Sequence, residues 1–278
     1  MDLLSEVLRE VRFSSAVYRW LDLRVPFRMD FDQPHLRGVH IIARGGCELA
    51  FPDGTVQRLD EGDLVILPRG DTHALRSAGG GEDTVVVCGA FLVGEPDHPV
   101  LRGLPRTVHV PGRDGTTPSW LAPLIEALST EAYDGGPGSE LVMARLSDAM
   151  LVRALREHSV TSEHPGWLAG LRDPYIGPAL AAVHTDPARP WSLTNLAAIA
   201  GLSRAAFAAR FTERVGEPAM RYVLSLRMQR AKTLLRDGRA TVASIAGQVG
   251  YRSEVGFAAA FKREAGVSPG GYRRRVVS

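Results

Sequence analysis

The stretch LAAIAGLSRAAFAARFTERVGEP, Leu196–Pro218, decides the fold of the C-terminal part of the chain because it occurs twice. The second copy is IAGQVGYRSEVGFAAAFKREAGVSP, Ile245–Pro269. In both copies a Leu or Ile precedes a glycine by five residues, a Phe-x3-Phe pair follows, and another glycine stands five residues after the second Phe. Such internal similarity predicts two copies of one supersecondary unit.

Each copy has the pattern of a helix-turn-helix unit. A first helix is followed by a turn containing Gly201 or Gly250, and then by a serine that can cap the second helix, Ser203 or Ser253. Two phenylalanines four residues apart share one face of that second helix and predict its anchor to the core. The opposite face is then exposed and able to enter the major groove of DNA. The two pairs are Phe207/Phe211 and Phe257/Phe261.

The charge of the chain is divided unevenly along its length. Residues 191–278 hold 15 Lys and Arg against 5 Asp and Glu, a net charge of +10, whereas residues 1–190 hold 18 against 26, a net charge of −8. This asymmetry predicts that the C-terminal part meets a polyanion. A helical bundle with a solvated basic face would have the same composition, but the duplicated helix-turn-helix pattern favours nucleic acid.

In the region before the repeat, a pattern typical of strands gives way to one typical of helices. Residues 13–112 contain short apolar runs such as GVHIIA, DLVILP and TVVVCGAF between turn sequences, which predicts a β-sandwich or barrel. Between Trp120 and His158 apolar residues recur at helical spacing. The second helix of this region, from Ser139, is apolar nearly all round, including Leu141 and Val142. We expect it to be buried, either against the barrel or against a second subunit.

These motifs resemble two known families. Across residues 171–275 the chain resembles the AraC family of bacterial transcription regulators, through LAAIAGLSRAAFAARF, RMQRAKTLL and VASIAGQVGYRSEVGFAAAFKREAGVSPGGYRRR. The barrel resembles the cupin domain that one branch of this family carries, through GVHIIARGGCEL, GDLVILPRGDTH and HPVLRGLP. The resemblance implies an α+β multidomain fold. Its parts would be an N-terminal cupin-like β-barrel in residues 1–112, a helical connector in 113–165 that dimerises, and a C-terminal all-α tandem helix-turn-helix domain in 166–278.

The phenylalanine positions predict which side chains face DNA. With the pairs turned inward, Ala205, Ala209 and Thr212 point outward on the first reading helix, flanked by Arg204 and Arg210. Small side chains can contact a thymine methyl but cannot pair with guanine or adenine. We therefore expect affinity from phosphate contacts, and sequence choice from methyl contacts and DNA shape. The predicted DNA-binding set is Ser203, Arg204, Ala205, Ala209, Thr212, Arg252, Ser253, Glu254, Val255, Ala259, Lys262 and Arg263.

The barrel raises the question of a metal centre. The stretch GDLVILPRGDTH, Gly62–His73, has the spacing with which cupins place one histidine, here His73, inside the barrel. In that family a metal-bearing member adds two histidines and a Glu from earlier strands, but Gly38 or Val39 stands where the Glu is expected. An iron or manganese oxygenase site is therefore not expected.

Four residues remain as candidate metal ligands or redox thiols: His40, Cys47, His73 and Cys88. Two imidazoles and one or two thiolates would suit zinc. Alternatively, the cysteines respond to oxidants, provided that a neighbour lowers their pKa. A third interpretation is that both cysteines are small buried hydrophobes and His73 is a hydrogen-bonded core histidine. A small barrel is also able to enclose one organic effector.

The sequence predicts a one-component transcription regulator, not an enzyme, in which a signal received by the barrel alters DNA binding. The expected partners are double-stranded DNA, a small-molecule or metal effector, a second copy of the chain and, for an activator, RNA polymerase. The alternative is a metal-dependent cupin enzyme with a DNA-binding tail. Only two cysteines are present, and residues 1–12 lack a signal-peptide pattern, which predicts a cytoplasmic protein. The longest apolar run, Val85–Val93, is too short to span a membrane.

Overall fold

The computed structural model describes residues 3–11, 13–33, 36–78, 82–94, 98–112, 118–161 and 164–277. The chain forms two compact units. The β unit comprises residues 8–96 and 104–162, and the helical unit comprises residues 1–7, 97–103 and 163–278. The two helices of the expected connector fall within the β unit in this division, and the three-domain boundaries stay a prediction.

The β unit contains nine strands and two long helices in its described residues. The chain enters it through helix α1 (Leu3–Val11). The strands are β1 (Phe13–Leu23), β2 (Arg28–Phe31), β3 (Arg37–Arg44), β4 (Gly46–Ala50), β5 (Val56–Asp60), β6 (Leu64–Leu67), β7 (His73–Ser77), β8 (Thr84–Val93) and β9 (Val108–Val110). The helices are α3 (Ala122–Asp134) and α4 (Ser139–Thr161).

All strand pairs are antiparallel, and they form two sheets. One sheet has the order β1-β8-β3-β6-β9 and the other has the order β2-β7-β4-β5. The predicted cupin-like fold is confirmed, although the described strands form a sandwich of two sheets and not one closed ring. Apolar side chains from both sheets, among them Ile42, Leu49 and Val86, fill the space between them.

Helix α4 packs on β1 and β9 through one face only. Leu151 and Leu155 are buried there, whereas Leu141 is 61% exposed and Val142 41%. The first turns of α4 are therefore not covered within this chain, and their burial against a second subunit stays a prediction.

The helical unit consists of short helices around one long one. It contains α2 (Pro99–Arg102), α5 (Trp167–Arg172), α6 (Ile176–Thr185), α7 (Leu193–Ile199), α8 (Arg204–Val215), α9 (Ala219–Arg236), α10 (Val242–Gln248), α11 (Glu254–Ala265) and α12 (Pro269–Val277). None of the described helices is long and apolar enough to cross a membrane.

The predicted tandem helix-turn-helix arrangement is confirmed, with α7 and α8 as the first copy and α10 and α11 as the second. Both phenylalanine pairs are buried, with exposed fractions of 0–2%. Helix α9 has 18 residues and an expected length of about 27 Å, and its buried residues Met228, Ala231 and Leu235 pack with the core of the second copy. This packing orients the outer face of α11, which together with α8 is one of the two reading helices.

The two turn glycines are matched in conformation but not in surroundings. Gly201 and Gly250 have φ of +64° and +81°, in the left-handed region that favours glycine. A Cβ at Gly201 would meet nothing within 4 Å, whereas one at Gly250 would lie 2.2 Å from the carbonyl oxygen of Ala188. Arg227 holds that loop in place by donating to the carbonyl oxygens of Pro187 and Arg189.

We expect Gly201→Ala to lower the free energy of unfolding by about 1–2 kcal/mol, the ordinary cost of the left-handed region. Gly250→Ala should cost a further ~1–3 kcal/mol, because the new Cβ displaces a fixed carbonyl group. Urea unfolding of the two full-length variants measures the difference. Equal losses would show that the approach to Ala188 relaxes without cost.

Candidate nucleic-acid interface and sensor site

Serine caps fix the beginning of both reading helices. The Ser203 hydroxyl accepts a hydrogen bond from the amide of Ala206 at 3.2 Å, and the Ser253 hydroxyl accepts one from the amide of Gly256 at 3.1 Å. Such caps satisfy amide groups that the first turn leaves without a helical partner. The exposed N-terminal turns are therefore rigid enough to be presented to a ligand.

The twelve residues predicted to contact DNA are all exposed. Val255 is the extreme case, with 80% of its surface in contact with solvent although it is apolar. A single exposed apolar side chain is common on protein surfaces, and at the start of α11 this one is accessible to a ligand. The structure thus places the whole predicted set on the outer surface of the two reading helices and their turns.

Arg210 departs from the expectation that it flanks the first reading face. Its guanidinium group lies 2.8 Å from the carboxylate of Asp173, which is only 3% exposed. Arg214 reaches the same carboxylate at 3.3 Å. Asp173 was not among the residues predicted from the sequence, because it stands 37 positions from Arg210 and no local pattern links the two.

The second candidate site lies between the two sheets of the β unit. His40 comes from β3, where it faces Cys88 on β8, and His73 begins β7 of the opposite sheet. The Nε2 atoms of the two histidines are 2.8 Å apart, and Nδ1 of His40 is 3.3 Å from the sulfur of Cys88. Three of the four predicted residues therefore form one hydrogen-bonded chain, and Cys47 lies in the adjoining hydrophobic core.

The hydrogen-bond partners determine where the protons of this chain lie. Nδ1 of His73 is 2.7 Å from the carbonyl oxygen of Asp71, which can only accept, so Nδ1 carries the proton. Nε2 of neutral His73 then accepts from His40, and the remaining nitrogen of His40 accepts from the thiol of Cys88. We assign this order from the partners, since hydrogen positions follow from the network. His73, His40 and Cys88 are all uncharged in this arrangement.

The pKa values of these groups agree with an uncharged chain. Burial, with a smaller contribution from His73, lowers the pKa of His40 from 6.5 to about 3. Burial also lowers the pKa of His73, although Asp71 opposes that shift. Burial raises the pKa of Cys47 and that of Cys88 to about 12. Thiols of this kind are protonated at neutral pH and therefore poor nucleophiles and poor metal ligands.

This geometry does not fit the zinc site that the sequence allowed. The two nitrogens of His40 face different partners, so no single position touches His40, His73 and Cys88 together. Two nitrogens bound to a tetrahedral zinc ion would also stand about 3.3 Å apart, farther than the observed hydrogen bond. Among the residues that the structure describes, no group of three or more His, Cys, Asp or Glu side chains is placed to hold a metal ion.

The loop before His73 is held from both ends. Arg69 donates two hydrogen bonds to the carbonyl oxygen of Leu104, at 3.1 and 2.6 Å, and the hydroxyl of Thr72 donates to Asp32 at 2.9 Å. These bonds fix the carbonyl group of Asp71 that orients the His73 ring. His73 was predicted from the sequence, whereas Arg69, four residues before it, was not.

A cavity of about 300 Å³ opens beside the histidine–cysteine chain. His73 and Cys88 form part of its wall. Other wall residues are apolar, namely Leu21, Met29, Phe31 and Leu36, or polar, namely Arg19, Asp30, Gln33 and Asp71. An apolar enclosure with a few polar groups is typical of small-molecule sites.

Comparison with known proteins agrees with both halves of this arrangement. The model of the cupin family matches residues 2–159, and that of a helix-turn-helix domain family matches residues 196–275. An AraC-like transcription regulator of Streptomyces lividans is 35% identical over 99% of this chain and 98% of its own length. This chain belongs to the AraC family of transcription regulators.

Two further helix-turn-helix transcription regulators match along 99% of this chain. RclR of Escherichia coli, an RCS-specific transcriptional activator, is 30% identical over 99% of this chain and 98% of its own length. The transcriptional regulator AlkR of Acinetobacter baylyi is 27% identical over 99% of this chain and all of its own. The prediction of a DNA-binding regulator of this family, and not an enzyme, is confirmed.

The buried histidines give this AraC-family protein a pH-dependent stability. Unfolded His40 binds a proton below about pH 6.5, whereas folded His40 does so only near pH 3. The unfolded state therefore binds more protons between these values, and stability falls as the pH is lowered through this window. His73 acts in the same direction.

We expect the free energy of unfolding to fall between pH 6.5 and 4.5 by up to about 1.4 kcal/mol per pH unit through His40, with a further contribution in the same direction from His73. His40→Gln should flatten this dependence, whereas Cys88→Ser, which keeps both histidines buried, should retain it. Urea unfolding at a series of pH values measures the slope. A wild-type slope near zero would contradict the neutral assignment of His40.

Proposed function

We propose that this AraC-family regulator grips DNA through the outer faces of α8 and α11. The observation that carries the proposal is the exposure of all twelve predicted contact residues around the two capped helix N-termini. The net charge of +10 in residues 191–278 supplies the attraction to phosphate. Helix α9 joins the two copies and orients their outer faces for adjacent stretches of major groove.

The two kinds of exposed side chain have different tasks in this proposal. Arg204, Arg252, Lys262 and Arg263 contact phosphates and give affinity without sequence choice. Apolar and small side chains lie against thymine methyl groups, and Glu254 accepts from a cytosine amine. The methyl-contact set is Ala205, Ala209, Thr212, Val255 and Ala259. Ser203 and Ser253 cap the first turns of α8 and α11, and these turns lie against the DNA backbone.

A pair of substitutions separates these tasks. Lys262→Ala should weaken binding to every duplex by a similar factor and reduce the slope of log K against log salt by about 1, because one phosphate contact is lost. Val255→Ser should leave the salt slope unchanged and reduce the preference for thymine over uracil at the contacted position. Fluorescence anisotropy with a duplex that the full-length protein selects from random DNA measures both effects.

Arg28→Ala is the matched control, because Arg28 is an exposed arginine of the β unit, and it should change neither quantity. A Val255→Ser protein that still distinguishes thymine from uracil as the wild type does would contradict the methyl-contact assignment. An unchanged salt slope for Lys262→Ala would remove Lys262 from the phosphate contacts.

We further propose that the cavity of the β unit receives a small organic effector that alters DNA binding. Its volume of about 300 Å³ suits a small molecule, and its walls combine apolar side chains with the polar groups of Arg19 and Gln33. The hydrogen-bonded histidines add no charge to the wall on their side. An effector acts by binding one of two states of the protein more tightly than the other.

The remaining partners follow from the surface and from the relatives. We propose that the exposed Leu141 and Val142 on α4 face a second copy of the chain, as the apolar pattern of that helix implies. If the protein is an activator, as the name of its Escherichia coli relative says of that protein, RNA polymerase is a further partner. Oxidants remain a second candidate signal only through Cys47 and Cys88.

Metal content and thiol reactivity, measured on one full-length sample purified without added metal or chelator, distinguish these signals. We expect no zinc, because the ligand geometry is wrong for it. Both thiols should react slowly in the folded protein and rapidly in urea, because burial raises the pKa of each to about 12.

One zinc per chain, lost when His73 or Cys88 is replaced, would make metal the effector and contradict the assigned hydrogen-bonded chain. A thiol that reacts rapidly in the folded state, and whose reaction changes DNA affinity, would instead favour an oxidant. Cys47 is the internal comparison, since it is buried in the same core but does not form part of the cavity wall.

A further inference from the structure

Each reading helix is held by an ion pair as well as by its phenylalanines. On α8, Arg210 donates from Nε to both carboxylate oxygens of Asp173 at 3.0 Å, and Arg214 lies 3.3 Å from the same carboxylate. The carboxylate is 3% exposed, so water competes little for it. Two arginines of the reading helix are thereby held by one acidic group outside that helix.

Asp173 is also the C-cap of α5 and lies three residues before the first residue of α6. One of its oxygens accepts from the amides of Tyr175 and Ile176, each at 3.0 Å. Burial raises the pKa of Asp173, but the hydrogen bonds from Arg210 and from those two amides outweigh it and hold the pKa below its ordinary value. One charged group thus couples the orientation of α8 to the corner between α5 and α6.

The second reading helix has an equivalent pair with its charges reversed. Glu264 of α11 receives two contacts from the guanidinium group of Arg221 on α9, at 3.1 and 3.0 Å. Glu264 stands three residues after the second phenylalanine of its copy, and Arg214 occupies that same position in the first copy. In the first copy the basic residue lies on the reading helix and its acidic partner lies outside that helix. In the second copy the acidic residue lies on the reading helix and its basic partner lies on α9.

We propose that Asp173 and Arg221 are positioning residues for DNA reading, each fixing the rotation of one reading helix without contacting DNA. Two phenylalanines one turn apart oppose large rotations of a helix, and a contact to the side of the line that joins them restrains the smaller rotations. Contact geometry at a functional site must be held within about 0.5 Å by supporting groups. This inference rests on the proposed use of the outer faces of α8 and α11.

The test measures which half of the DNA site each variant stops reading. The probes are the duplex selected by the full-length wild type, the same duplex with one half scrambled, and the same duplex with the other half scrambled. The variants are Asp173→Asn, which keeps the acceptor for both α6 amides and removes only the charge, and Arg221→Gln. Arg221→Glu combined with Glu264→Arg restores the second pair in reverse orientation.

We expect each single variant to lose roughly tenfold in affinity for the intact duplex, similar to one mismatched base pair. Asp173→Asn should become insensitive to scrambling of one half, and Arg221→Gln to scrambling of the other. The reversed pair should regain sensitivity to both halves. The salt slope should stay that of the wild type, since no phosphate contact is lost.

Three results would overturn the inference. The first is an equal loss on all three duplexes, which indicates a fold defect, and the second is no recovery in the reversed pair. The third is a steeper salt slope for Asp173→Asn, which would mean that this carboxylate withholds Arg210 and Arg214 from phosphate. If the wild type itself ignored scrambling of both halves, the proposed reading function would fail together with the inference.

Discussion

Burial of two phenylalanines on each reading helix is the constraint on which the DNA-binding half of this protein depends. Phe207 and Phe257 are fully buried, and Phe211 and Phe261 follow one turn later in the same core. Burying a large apolar side chain contributes about 1.5–3 kcal/mol, so a rotation that exposed either pair would be costly. The identity of every outward residue follows from that restriction, as does the exposure of Val255.

The two reading helices have matching phenylalanine pairs but present chemically different outer surfaces. The first reading helix presents alanine and threonine beside Arg204, and the carboxylate of Asp173 offsets part of the charge of Arg210 and Arg214. The second presents valine, lysine and arginine, while Glu264 is neutralised by Arg221. Electrostatic attraction to phosphate therefore differs between the copies although their apolar anchors match, and we infer that the two halves of a DNA site are gripped unequally.

Local patterns predicted the local structure, and distant pairings escaped prediction. The Phe-x3-Phe spacing, the turn glycines and the serine caps each involve residues within one turn or helix, and all appear as expected. The alternation of β3 likewise placed His40 in the interior. In contrast, the contact between His40 and His73 depends on how closely two sheets approach, and that of Asp173 with Arg210 on the packing of two helices. Neither distance is encoded in a short stretch of sequence.

Gly38 connects the absence of a metal ligand with the presence of a cavity. It precedes His40 by two residues on β3, and a Cβ there would lie 3.3 Å from both His40 Nε2 and His73 Cε1. A glutamate at this position would crowd both rings, although it would supply the anionic oxygen that two neutral imidazoles and a protonated thiol lack. Glycine removes that ligand and lets the two rings approach within hydrogen-bond distance. Because the wall beside the rings is then uncharged, we expect it to favour a neutral or apolar group of the proposed effector over a cation.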